Sequence, residues 1–178
     1  MITVGDCPPF AAAQSRAQFA LSDWPMSSLA TRRESVSFHR PEIRDALADA
    51  WRRSEPGTPQ AHEEGGFIVQ REDRSLFVIG WQRGLQNEIL VPPHPGGKRG
   101  NMPIVATYHT HPNPGPTFQQ EPSLTDIRAV RDDPDLAHVE YEGEYVLSQR
   151  LIYRILRSGR VEIVGETSVL LGLSNSEA

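Results

Sequence analysis

Along PEIRDALADAWRRS, Ile43, Leu47 and Trp51 recur every fourth residue among polar positions, the spacing of one buried helical stripe. Pro41 suits the first turn. Glu42 and Asp45 lie near the positive end of such a helix, and Arg52 and Arg53 near the negative end. SEPGTPQAHEE then breaks the pattern with polar and turn-forming residues. From Gly65 the texture changes. GGFIVQ and SLFVIGWQ are two short apolar runs joined by REDR, which predicts a β-hairpin. LVPPHPGGKRGNM carries too much glycine, proline and charge for a regular element and predicts a mobile surface loop with His94 exposed. PIVATYH reads as a buried strand, and SLTDIRAVRDD as a helix stopped by Pro134. HVEYEGEYVLSQ, LIYRILRS and RVEIVGE supply further strands, with SGR as a turn. Upstream, SVSF predicts a short strand, and AAAQSRAQFAL a short helix within an otherwise aperiodic stretch. The order of elements predicts a mixed sheet flanked by helices, of α/β or α+β character. It divides the chain into an extension over 1–34, one domain over 35–166 and a tail over 167–178.

Composition narrows the function classes. A chain of 178 residues with 38% hydrophobic and 23% charged residues can bury the core of one globular domain. The net charge of −5 offers no electrostatic footprint for nucleic acid, and no basic stripe with interleaved aromatics appears. No run of about 18 apolar residues predicts a membrane span. MITVGDCPPFAAAQ lacks the basic start and apolar stretch of a secretory signal, so the cytoplasm is the expected compartment. Cys7 is the only cysteine, which excludes an intrachain disulfide and a multi-cysteine zinc cluster.

The candidate chemistry lies in VATYHTHPNPGPTFQQEPSLTDI, Val105 to Ile127. On a strand, His109 and His111 project to one side and Thr110 to the other. Neutral imidazoles so placed can share one transition metal, with a third ligand from another element. Asp126, one turn inside the following helix, suits that role. Two histidines and one carboxylate leave a fourth tetrahedral position for water, the arrangement of a catalytic rather than a structural zinc site. Hydrolysis also needs a proton carrier and a donor for the developing oxyanion. Ser123 fits the donor, and a glutamate of HEEGGFIV the carrier. Each piece alone has an ordinary structural explanation: a lone H-x-H often serves packing, and Ser123 with Asp126 also fits a helix cap. The combination and its order carry the specificity.

A glutamate and glycine before an apolar strand, then H-T-H-P, then P-S-x-x-D, resembles the motif of the JAMM (MPN+, JAB) metalloproteases. The resemblance spans roughly residues 35–166. It implies a cytidine-deaminase-like JAB/MPN α/β fold, one Zn²⁺, and hydrolysis of a peptide or isopeptide bond following ubiquitin or a ubiquitin-like protein. His109, His111 and Asp126 would be the zinc ligands, Ser123 the residue assisting the tetrahedral intermediate, and Glu63 the base. Glu64 is the neighbouring alternative, because one residue of register changes the facing side chain. Eleven residues separate His111 from Ser123, where the family commonly has seven, so this chain resembles the divergent bacterial members. A ubiquitin-like protein or its conjugate is the implied substrate, with activating or conjugating enzymes as possible partners. Alternatives are a toxin or effector peptidase with another protein target, and a non-catalytic MPN scaffold, a kind that usually lacks the ligands. Zinc deaminases need H-x-E with a downstream P-C-x-x-C, which this sequence lacks. Metal hydrolases on TIM barrels typically need about 250 residues.

Overall fold

The structure, a computed structural model, describes residues 37–173 apart from Pro116 and His138. The N-terminal extension, its candidate helix and Cys7 lie outside the described residues. Helix α1 (Pro41–Arg53) precedes the hairpin β1 (Gly65–Gln70) and β2 (Leu76–Gly80). Strands β3 (Lys98–Arg99) and β4 (Met102–His111) follow, then α2 (Leu124–Asp132), β5 (Glu144–Ser148), β6 (Leu151–Ile155), β7 (Val161–Glu166) and α3 (Thr167–Leu171). The fold is α/β, with a mixed seven-stranded sheet flanked by helices. Its main path runs β2-β1-β4-β5-β6-β7, with β3 paired to β4. Among the described residues only β4 and β5 run parallel, and α2 lies in the connection between them.

The two faces of the sheet have separate cores, which is why β1 is buried along nearly its whole length. Ile43, Leu47 and Trp51 of α1 belong to a core with Ile68, Tyr108 and Leu147. On the other face Val130 of α2 joins Phe67, Val69, Val146 and Ile155. A register shift between β1 and β4 pairs Ile68 with Ala106 and Val69 with Ile104, skipping Val105. Val105 and Ala106 consequently belong to the same core, and the regular alternation resumes beyond them. Thr107, His109 and His111 then face the side of α2.

Three local expectations need correction. SVSF is not a strand where it is described: Ser37–His39 form the turn that enters α1, and Phe38 is buried against Tyr145 with ring centroids 5.2 Å apart. The Gly/Pro-rich segment is tied down rather than loose. His94 is buried, with Nδ1 2.8 Å from Pro92 O and Nε2 2.9 Å from Asp133 Oδ2, and Lys98–Arg99 pair with Met102–Pro103. The domain also continues past residue 166. Leu171 and Leu173 are buried in the α1 core, and Thr167 Oγ1 donates to Ser148 O at 2.8 Å. The run TSVLLGL is too short to announce a helix by period, so its packing was invisible in sequence. Among the described residues no helix is long and apolar enough to cross a membrane.

Candidate metal centre

Strand β4 ends between β1 and β5, with His109 opposite Gly65 on one side and Val146 on the other. His109 is buried and His111 nearly so. Their Nε2 atoms lie 3.0 Å apart. Ser123 caps α2 through a reciprocal pair: Asp126 N donates to Ser123 Oγ (3.1 Å), and Ser123 N donates to Asp126 Oδ2 (2.6 Å). The cap fixes the Asp126 carboxylate, leaving Oδ2 3.8 Å from His109 Nε2 and 3.7 Å from His111 Nε2. The cap therefore leaves Asp126 able to offer a ligand atom beside the two histidines.

These distances fit a metal. Bonds of about 2.0–2.1 Å at the tetrahedral angle separate donor atoms by roughly 3.3–3.4 Å, within the observed spread. One ligand atom from each of His109, His111 and Asp126 falls within 4.8 Å of the others, so this group can hold a metal ion. Charge points the same way. The surrounding cleft, about 430 Å³, is lined by the carboxylates of Glu63, Glu88, Asp126 and Glu144 and, among the described residues, by no lysine or arginine. A divalent cation would offset that accumulation.

Glu63 and Glu64 face opposite ways. Thr110 N donates to Glu64 O (2.9 Å) and Glu64 N to Thr110 Oγ1 (3.0 Å), which fixes the register at the mouth of β1. The Glu64 carboxylate accepts from His62 Nε2 at 3.1 Å and Arg53 Nε at 3.2 Å, away from the cleft. Glu63 is buried and lines the cleft with both histidines, Ser123 and Asp126. Two glycines permit the close packing here: a Cβ on Gly65 would lie 2.4 Å from the Trp81 ring, and one on Gly66 2.6 Å from Tyr108.

Considering the protein groups by themselves, burial pushes the Glu63 carboxyl up to about 7; His109 opposes this, while Asp126, Glu144 and Glu88 add to it. Burial pulls His109 down, but Glu144, Asp126 and Glu63 together outweigh it and raise it to about 9. Burial and then the charge on His109 lower His111 to about 4. The two imidazoles thus prefer different protonation states although they are two residues apart.

Two further residues shape the site and were missed in the sequence. Glu144, at the start of β5, places Oε1 3.1 Å from His109 Nδ1. Its only advance signal is a charged residue opening the apolar run EYVLS. Asn113, buried just after the second histidine, donates from Nδ2 to Gln86 O (2.6 Å), joining the two walls of the cleft. The long loop is braced further by Gln120 Nε2 donating to Asn113 O (2.5 Å) and by Gln149 Nε2 donating to Pro112 O (2.6 Å). Asn113→Ala should therefore raise amide exchange at Leu85 and its neighbours by about tenfold, the size of one lost hydrogen bond, without changing metal uptake. Hydrogen-exchange mass spectrometry with elemental analysis checks both halves.

Fold and site together define an α/β protein with a metal-competent centre at the end of a central strand. No family model, curated protein or solved structure matches the chain.

Proposed function

We propose that this protein is a zinc-dependent peptidase or isopeptidase of the JAMM type, with the JAB/MPN form of the α/β fold. Its proposed reaction is hydrolysis of the peptide or isopeptide bond that follows a ubiquitin-like protein. One observation carries the reading: His109, His111 and Asp126 converge in the same cleft as Glu63 and Ser123, in the motif order that the JAMM resemblance implies. A Zn²⁺ held by those three side chains supplies Lewis acidity and makes water ionisable near pH 7.

The remaining work falls to the chain. Glu63, buried yet facing the cleft, takes a proton from the attacking water and returns it to the leaving nitrogen. A buried carboxylate facing the cleft suits both transfers. Ser123 Oγ accepts from Asp126 N, and its own hydroxyl proton stays available for the oxygen of the scissile carbonyl. Asn113 and the loop it anchors hold the cleft wall against which the substrate chain lies.

The test combines elemental analysis with cleavage of a panel of ubiquitin-like fusions and isopeptide-linked conjugates. About one zinc per chain and cleavage at the junction are expected. A chain that takes up no zinc, or a zinc-loaded chain that cuts no member of the panel, overturns the reading. Within it, Ser123→Ala should raise the barrier by about 2.7–4 kcal/mol, roughly 10²–10³ in kcat. The lost cap should separately cost about 0.5–2 kcal/mol of stability. Ser123→Gly separates the two effects, because glycine caps within a few tenths of a kcal/mol of serine yet has no hydroxyl. Retained turnover in the glycine variant would leave Ser123 a cap only.

A further inference from the structure

The floor of the cleft contains a carboxylate that the proposed hydrolysis leaves unused. Glu144 sits opposite Thr107 in the parallel β4–β5 pairing and is only 5% exposed. Its Oε1 lies 3.1 Å from His109 Nδ1, the ring nitrogen turned away from His111 and Asp126. A carboxylate taken this far out of water needs a partner, and among the described residues the cleft lining offers no lysine or arginine to serve. The bond to Glu144 keeps the proton on Nδ1 and directs Nε2 toward the other two ligand atoms. In a histidine, the hydrogen bond made by one nitrogen decides what the other can do.

The backbone makes this placement firm. Gly143 has φ 124°, and a Cβ there would lie 2.3 Å from Ile155 O, so glycine is required immediately before Glu144. Gly143 O also accepts from Thr107 N at 3.2 Å, tying the start of β5 to the strand that bears both histidines.

We propose that Glu144 is a positioning residue for the metal centre: its carboxylate locks His109 with Nδ1 protonated and Nε2 presented to the ion. This rests on the assignment of His109 as a ligand. Outer partners of metal-bound histidines commonly govern affinity as well as orientation, and their loss costs about 10–100-fold in metal binding.

The test titrates Zn²⁺ alone against a chelating competitor and follows the His109 ring by ¹⁵N NMR, without using activity. Glu144→Ala should bind Zn²⁺ about 10–100-fold more weakly and lose the protected Nδ1 proton signal of His109. Glu144→Gln, which can still accept through its amide oxygen, should keep that signal and bind Zn²⁺ within a few-fold of the parent. The zinc-free unfolding midpoint of each variant reports folding separately. Parental zinc affinity, or an unchanged Nδ1 signal, in a folded alanine variant overturns the proposal. A parent chain that binds no Zn²⁺ defeats the metal centre itself, a different failure, because the NMR signal still reports the Glu144–His109 bond.

Discussion

Replacing His109 with alanine will leave a chain that no longer retains zinc through purification and no longer cleaves. His109 is one of the three side chains that can hold the ion, so its removal should exceed the roughly 10–100-fold cost of losing an outer partner. The substitution also strands Glu144, a buried carboxylate hydrogen-bonded to the lost imidazole, and some destabilisation should accompany metal loss. His111→Ala separates these effects. It removes a ligand from the outer edge of the site, leaves the Glu144–His109 bond standing, and should lose zinc with a smaller fall in unfolding midpoint. Elemental analysis and thermal melts of the two variants make the comparison. Stoichiometric zinc in either folded variant would remove that histidine from the centre.

Some of this was legible from sequence because it depends on local periodicity. His109 and His111 share a face through the two-residue repeat of a strand, and Asp126 faces back toward Ser123 through the geometry of a helix cap. The amphipathic period of α1 named Ile43, Leu47 and Trp51, all of them buried. The rest is set by partners distant in the chain. His94 looked exposed because its partners, Asp133 39 residues on and the Phe67 ring, are distant in the chain. Glu144 acquires its role from a histidine 35 residues earlier, across a parallel pairing that needs α2 to bridge it. Leu171 and Leu173 read as tail because their packing surface belongs to α1. The choice between Glu63 and Glu64 lay at the limit of sequence reasoning, since a single residue of register separates the cleft from the opposite side.

That choice gives the other large expected effect. Glu63→Gln preserves size and shape but cannot carry a proton, so kcat should fall by about 10²–10⁴ while zinc content stays at about one per chain. The variant should fold at least as well as the parent. A neutral amide suits a buried position where burial already pushes the carboxyl up to about 7. Glu64→Gln should do the reverse. Its carboxylate bonds His62 and Arg53 away from the ligands, so turnover should remain within a few-fold of the parent. Any loss should appear as stability, on the order of 1 kcal/mol for the weakened contacts. Steady-state kinetics and zinc content of the two variants therefore form a crossed pair. If Glu64→Gln alone abolishes turnover with zinc retained, β1 presents the other glutamate during catalysis. If neither does, the proton travels by a route outside this pair.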